Sequence, residues 1–375
     1  MKIRGRNLDW TNTLFLLVVH LTAVIGTILY TVLHGWTWAA VGIGVAWFVM
    51  TGLSITAGYH RLFSHGTYRA HPVLRAFYLI FGAAAFQQDA LKWSAGHRRH
   101  HAYVDEDSDP YSIRKGFWWA HFLWILVREP KNQPGGKIGD LERDPLMRIQ
   151  KEWYVPIGVF VSFTLPAFVG ALLGDMWGGL IIGGFFRLVF SYHMTWSINS
   201  VAHTLGKQPY NDSDSSRDSS ITALLSLGEG YHNYHHSFPI DYRNGIRAWH
   251  FDPSKWWIRL MSYIGVTKDL VRVPQDTILK ARVRMQAVQA ESWLVDQPVL
   301  AEHLQAARLR LEHLVEEWGD LKAQLTELKS RTRSRSREAV QNLRKEVKEA
   351  RSRYRAAYRE WVWSLQNPHL ISLPA

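Results

Sequence analysis

Two stretches of the 375-residue chain repeat one spacing of histidine, His97-Arg98-Arg99-His100-His101 and His232-Asn233-Tyr234-His235-His236. Positions i, i+3 and i+4 share a helix face, so each stretch can aim three imidazoles at one point. A third cluster places His60 and His65 in His-Arg-Leu-Phe-Ser-His. Five residues turn about 140° on an α-helix, so the helix is expected to end or unwind between these two. Imidazole suits iron, copper, zinc and nickel, and eight such ligands exceed what one tetrahedral or octahedral ion can use. The count predicts two metal ions. A lone histidine beside an apolar segment is more often structural, and His20, His34, His71, His121, His193, His250, His303, His313 and His369 lack the repeated pattern. These read as structural or surface residues.

The elements that must position the clusters are long and apolar. Residues 14–33 and 38–57 are uncharged runs, each of the length that crosses a bilayer, and the second leads straight into His60. Residues 155–173 and 177–198 read as a second hairpin of spans, joined by Gly174-Asp175-Met176 and leading into Asn199 and His203. The first run is too long for the core of a signal peptide and no small-residue cleavage site follows it, so it reads as a retained membrane anchor. The short links between spans lack Lys and Arg, whereas the N-terminus and residues 61–151 are rich in them. By the positive-inside rule both termini and all three histidine clusters face the cytoplasm, with Trp36, Trp38 and Trp177 as an aromatic belt on the other side. Residues 77–86 are apolar but too short to span; an interfacial helix and a buried core helix are equally consistent. Gly42, Gly44, Gly183 and Gly184 sit inside spans as close helix contacts. No Gly-rich fingerprint follows a strand pattern, so no bound NAD or flavin is expected.

Composition changes near residue 278, from Trp, Phe, Leu and Gly to charged helix formers. This predicts an all-α chain with a four-span membrane domain over residues 1–278, carrying a cytoplasmic histidine-rich helical region, and a separate tail over 279–375. The absence of cysteine excludes disulfides, Cys-ligated iron–sulfur clusters and thiolate haem within the chain. In the tail, Leu300, Leu304, Ala307, Leu311, Leu314, Trp318, Leu321, Leu325 and Leu328 form one heptad seam. Val340, Leu343, Val347, Ala350, Tyr354, Ala357 and Trp361 form another, after an Arg-rich link over residues 330–337. An antiparallel helical hairpin follows, which could pack on itself, dimerise or dock a partner. The Arg-rich turn suits anionic lipid, an acidic electron donor or plain solvent. The net charge of +12 fits an anionic membrane surface or an acidic partner better than nucleic acid, since no recognition fold accompanies it.

Around the clusters, Glu229 and Asp89 are candidates to orient ligands by accepting the free imidazole N–H. The run Asp105-Glu106-Asp107-Ser108-Asp109-Pro110 reads as a solvated loop, with a contact surface for a redox partner or for helix N-termini as the alternative. The turn-rich stretch from Asp212 to Asp218 is expected to cap the helix carrying residues 221–227.

His60 to His65, His97 to His101 and the extended stretch from Gly228 to Pro239 together resemble the integral-membrane fatty acyl desaturases, and within them the acyl-CoA Δ9 (stearoyl-CoA-type) desaturases. The likeness covers most of residues 10–270. It implies two iron ions with O2 as co-substrate, four spans and a bent acyl tunnel. It adds His203 as a ninth metal ligand beside His60, His65, His97, His100, His101, His232, His235 and His236. Asn199 would approach one metal through water, and Gln87, Trp93, Thr195 and Trp196 would line the tunnel near its bend. The activity implied is insertion of a cis double bond, at Δ9, into a long-chain acyl thioester or acyl lipid. Electrons would come from a separate ferredoxin or cytochrome b5-type donor and its reductase. The place implied is a multi-pass position in a bacterial inner membrane with a cytoplasmic active site. A membrane di-iron hydroxylase of alkyl chains or carotenoids is the alternative, and metal storage or transport a third. Where acyl-CoA desaturases carry Arg-Asp before the second cluster, this chain has Ala95-Gly96; Gln88 replaces an Asn and Glu129 a basic residue. These departures leave CoA, carrier protein and membrane lipid open as acyl carriers.

Overall fold

The computed structural model describes residues 2–129, 136–291, 297–331 and 337–371. Most described residues are helical, and the strands among them form two short antiparallel pairs, Lys2–Ile3 with Arg6–Asn7 and Arg69–Ala70 with Thr267–Lys268. The chain divides into two compact units, Met1–Lys207 with Ser213–Arg272, and Gln208–Asp212 with Val273–Ala375.

In the first unit, α1 (Trp10–Leu33) starts at Asp9, whose carboxylate accepts from Asn12 N–H at 3.1 Å. The second helix, α2 (Trp38–Leu53), starts at Thr37 and runs on as a π-helix over Ser54–Ser64. There follow α3 (Pro72–Ala83), α4 (Ala90–Ala102), α5 (Pro145–Glu152) and the rod α6 (Tyr154–Leu172). A π-helical turn, Gly179–Phe186, leads into α7 (Arg187–Ser200); α8 (His232–Ser237) and α9 (Pro253–Tyr263) complete the unit's longer elements. Among the described residues three helices are long and apolar enough to cross a membrane: Trp10–Leu33, Trp38–Ser64 and Tyr154–Leu172. The first exposes Leu14, Leu17, Leu21, Ile25 and Ile28 along its length, a face that only lipid or another apolar surface suits. Residues 177–198 are also helical but are not among the three, because Arg187, Ser191, His193 and Thr195 lower their mean hydropathy. Arg187 is buried, bonding Gly183 O, Ala84 O and Ser162 Oγ at 3.1, 3.2 and 2.9 Å.

The core beside the π-helix gathers Tyr59, Tyr78, Leu79, Met147 and Ile258. Residues 77–86 take the buried alternative on one face: Leu74, Tyr78, Leu79 and Gly82 of α3 are buried while Val73 and Ile80 stay exposed. The two helices lock through reciprocal glycines. A Cβ on Gly58 would lie 2.6 Å from Tyr78 Cγ, and one on Gly82 would strike the ring of Tyr59. Tyr59 is held further by Gln150 Nε2, which donates to its hydroxyl at 2.7 Å.

The second unit contains α10 (Gln275–Glu291), α11 (Pro298–Arg331) and α12 (Arg337–Gln366). Leu300, Leu304, Leu311 and Val315 pack with Ala357, Tyr354 and Trp361. Arg310 pairs with Glu360 and Arg353 with Glu317, so α11 and α12 run in opposite directions. Val283 and Ala290 of α10 join the same core, a third helix that the two heptad seams do not announce. Residues 332–336 of the Arg-rich link lie outside the described residues.

Because Gly82 admits the Tyr59 ring next to His60, Gly82→Ala should overpack this contact and cost about 1–3 kcal/mol. A lowered midpoint of thermal unfolding of the purified protein in detergent is the expected reading; an unchanged midpoint would contradict the packing.

Candidate metal centre

The first cluster sits where α2 has widened. Hydroxyls of Thr51, Ser54, Thr56 and Ser64 bond the carbonyls of Trp47, Met50, Gly52 and Tyr59 at 2.6 to 2.9 Å, and such side-chain bonding loosens the regular ladder. His65 N–H then bonds His60 O, an i to i+5 step of 3.2 Å. In that geometry the fifth residue returns to the face of the first, and the two rings lie 5.0 Å apart. The expectation that the helix ends between the pair holds, since the element stops at Ser64 with His65 as its C-cap, but before it ends it widens to a π pitch.

The second cluster rides on α4, whose N-terminus is capped by Asp89 accepting from Lys92 N–H at 3.1 Å. Asp89 therefore holds a helix end, and among the described contacts it orients no imidazole. The third cluster rides on α8. Its approach is tight enough that a Cβ on Gly230 would strike the backbone of Ala223, and Asp218 Oδ1 accepts from Tyr234 N–H at 3.0 Å. The cap of Ser220–Leu225 comes from Ser219, just past the acidic stretch expected to supply it.

These elements bring the nine histidines into two groups. His60, His65, His97, His101 and His235 form one; His100, His203, His232 and His236 form the other; within each, one nitrogen per ring lies within 4.8 Å of all the rest. Facing Nε2 atoms stand at 2.9 Å for His60 and His235, 2.8 Å for His65 and His97, 3.0 Å for His235 and His101, and 3.1 Å for His232 with His203 and with His236.

The far sides of the rings decide what those nitrogens can do. Glu229 Oε2 lies 2.7 Å from His60 Nδ1, Asp109 Oδ1 lies 3.0 Å from His100 Nδ1, and Ser215 Oγ lies 2.7 Å from His203 Nδ1. A neutral ring that donates from Nδ1 presents a bare lone pair at Nε2. His100 Nε2 is such an atom, buried with no hydrogen-bond partner. Metal–nitrogen bonds of about 2.0–2.1 Å at right angles place neighbouring ligand atoms about 2.8–3.0 Å apart, close to the separations seen. The donor set therefore fits two imidazole-bound cations.

Glu229, one of the two acids expected to orient ligands, does so, and its other oxygen meets Arg61 Nη2 at 2.9 Å. Burial works to raise its carboxyl, but its interactions with His60 and Arg61 overcome that and bring it to about 2. The run from Asp105 to Asp109 is only in part the solvated loop its composition suggests: Glu106 and Asp107 are exposed, but the two ends are not. Asp105 is 6% exposed and Asp109 1%, because imidazole and backbone N–H groups replace water around them. An acidic run directly after a histidine-rich helix was the available signal. Burial, followed by the charge of neighbouring imidazoles, pushes His65, His97, His101, His232, His235 and His236 well below the ordinary range, and burial and His100 push His203 to about 3.

A cavity of about 1120 Å³ reaches His60, His97, His100 and His232. Gln87, Trp93, Thr195, Trp196 and Asn199 all line it, with apolar walls from Phe15, Leu16, Phe48 and Ile55. Gln87 Nε2 donates to Thr195 Oγ1 at 3.0 Å, and Trp93 stacks on His97 at 5.0 Å. Glu129, which would repel a phosphorylated carrier if free, is ion-paired with Arg99.

The sequence profile described as Fatty acid desaturase matches residues 36–263. The chain belongs to the fatty acid desaturase family. It is 40% identical over 290 residues, 77% of its length, to the "Probable acyl-CoA desaturase" of Schizosaccharomyces pombe. It is 42% identical over 244 residues, 64% of its length, to "Acyl-CoA desaturase 1" of Saccharomyces cerevisiae. These matches span 60% and 48% of the two yeast proteins. "Stearoyl-CoA desaturase 5" of Homo sapiens is 34% identical over 289 residues, 74% of this chain and 86% of the human one.

The folded His203 ring takes a proton near pH 3, whereas free imidazole does so near 6.5. As pH falls below about 6.5 the unfolded chain binds protons first, so stability of the metal-free protein is full above that value and is lost between 6.5 and 3. Metal retention should follow the same sign, flat above about pH 6.5 and falling progressively as pH drops toward 3. Metal analysis after equilibrium dialysis across pH checks this; retention that rises with acidity would overturn it.

Proposed function

We propose that this desaturase-family protein is a di-iron, O2-dependent fatty acyl desaturase that inserts a cis double bond, at Δ9, into a saturated acyl chain. The observation that carries the proposal is the pair of imidazole groups at the wall of a cavity of about 1120 Å³ with apolar walls from Phe15, Leu16, Phe48 and Ile55. The matched relatives are named desaturases, which sets the hydroxylase alternative aside.

Bound iron would supply the dioxygen activation needed to remove hydrogen from an unactivated methylene. The nine histidines hold the ions, and Glu229 and Asp109 hold His60 and His100 in the tautomer that leaves Nε2 free. Phe15, Leu16, Phe48 and Ile55 bind the chain by excluding water, at about 0.8 kcal/mol per buried methylene. The Gln87 to Thr195 hydrogen bond ties two walls together, and Trp93 and Trp196 line the cavity, Trp93 stacked against His97. Asn199, also on the wall, is placed to orient water at one ion.

Met176 to Ser200 acts as the fourth span, its buried Arg187 satisfied by carbonyls and Ser162. The Lys and Arg distribution supports a cytoplasmic position for the histidine clusters, and the membrane proposed is a bacterial inner membrane. Electrons arrive from a separate ferredoxin or cytochrome b5-type protein with its reductase. The α10 to α12 unit packs on itself and is a surface for self-association.

The substrate is a long-chain acyl thioester, as the relatives' names indicate for those proteins. Lipid mass spectrometry after expression, with O2 uptake by the purified protein, tests the activity. Desaturation yields a product lighter by two hydrogens, and one heavier by an oxygen would refute it. A Cβ on Gly96 meets nothing within 4 Å, so the helix has room for Gly96→Asp, to be combined with Ala95→Arg. This double variant should raise turnover of acyl-CoA relative to acyl-carrier-protein substrate; an unchanged ratio would clear these positions of carrier choice.

A further inference from the structure

His203 differs from the other eight histidines of the centre. It stands alone on a short turn, Val201–His203, with no second ligand on its own stretch to share its orientation. What holds it comes from far along the chain. Its Nδ1 lies 2.7 Å from Ser215 Oγ. Ser215 is gripped in turn by Asp105, 110 residues away: its N–H donates to Oδ2 and its hydroxyl to Oδ1, both at 2.7 Å. Asp105 N–H donates to Asp109 Oδ2 at 3.2 Å, and Asp109 Oδ1 holds His100. Two members of the four-imidazole group are therefore steadied by one five-residue loop, whereas the five-imidazole group has Glu229 on His60.

The proton count along this chain has one solution. An ionised carboxylate only accepts, so the single hydroxyl proton of Ser215 goes to Asp105. Ser215 Oγ then has only lone pairs to offer His203, which must donate from Nδ1. Its Nε2 is left bare, 3.1 Å from His232 Nε2 and inside the four-imidazole group. The arrangement does for His203 what a directly bonded carboxylate does for His60, with a hydroxyl bridging the extra distance.

We propose that Ser215, held by Asp105, is a positioning residue that locks His203 in the Nδ1–H tautomer and so governs metal retention in the four-imidazole group without touching the five-imidazole group. The proposal rests on the reading that the nine histidines hold two ions. The test uses the full chain purified in detergent, with iron content by elemental analysis and a Co2+-loaded sample read by its visible spectrum. Wild type is measured first. Fewer than two ions per chain would remove the two-ion reading and this proposal with it.

With two in the wild type, Ser215→Ala should weaken one ion by about 10–100-fold and leave the other at wild-type affinity. Asp105→Asn should act in the same direction, because its amide can donate to Ser215 and release the hydroxyl proton toward His203. Ser215→Thr, which keeps the hydroxyl, should restore both ions and the wild-type Co2+ spectrum. Two ions of wild-type affinity in Ser215→Ala, or equal loss of both, would overturn the proposal alone: the first denies the positioning and the second marks a general loss of fold.

Discussion

A metal centre made only of imidazoles makes two demands that pull against each other. The rings must be buried side by side, and every one must stay neutral with a bare nitrogen facing inward. A buried acceptor without a partner costs about 1–3 kcal/mol, and a buried imidazolium beside other rings costs more. The protein meets both demands from the outer edge of the rings. Glu229, Asp109 and Ser215 bind Nδ1 of His60, His100 and His203, which sets the tautomer and brings negative charge close without placing a carboxylate among the ligands. Arg61, between Glu229 and Asp252, keeps the first of these acids ionised although it is almost wholly enclosed. Removing water from the centre and holding the rings neutral are thus one operation: the same burial that lowers the proton affinity of His97 and His232 makes their nitrogens available to a cation.

Helix geometry serves the same end. An α-helical period suits three ligands at i, i+3 and i+4, which is what α4 and α8 supply. His60 and His65 need a wider turn, and the hydroxyls of Thr51, Ser54, Thr56 and Ser64 create it by competing for carbonyls that an α-helix would use. A widened helix is locally weak. It is braced from outside by α3, where Gly58 receives Tyr78 and Gly82 receives Tyr59. Tyr68 adds a bond from its hydroxyl to Ala57 O at 2.7 Å. Strain in the element that carries two of the histidines is offset by packing one turn away from them.

The legible and illegible parts of this centre differ in the range over which their causes act. His97, His100 and His101 and their copy in α8 are readable because one helical period relates them. The chemistry of His60 and His65 is readable too, but their geometry is not, since the π-turn depends on hydroxyls that periodicity rules ignore. His203 has no companion in its own stretch, and only likeness to a family pointed to it. Asp105 and Asp109 carry the composition of a solvated loop. Their burial is set by partners at His100, Ser215 and the local backbone that only the fold brings near. At the level of architecture the apolar runs mark the three long membrane helices. Met176 to Ser200 carries polar residues that keep it out of the apolar set, and α10 lacks any continuous seam of its own.

The cavity poses a last problem of scale. Sliding an acyl chain by one carbon changes its burial by about 0.8 kcal/mol, about a fourfold preference, so apolar contact alone cannot choose which methylene meets the metals. Position must come from features that do not slide with the chain. The turn between α3 and α4 supplies them. Phe86 and Gln88 adopt left-handed backbone conformations, with φ of 48° and 79°, and the turn is pinned by Tyr154 Oη accepting from Gln88 N–H at 3.0 Å. Between them Gln87 reaches across to Thr195, while Arg187 and Ser162 both hold Ala84 O from behind. A wall built this way cannot yield by small rotations of one side chain, because its bonds run to two helices at once, to α6 through Tyr154 and Ser162 and to α7 through Arg187 and Thr195. On the proposed function, rigidity at that point together with a fixed pair of imidazole groups would turn a weak preference for burial into a defined distance along the chain.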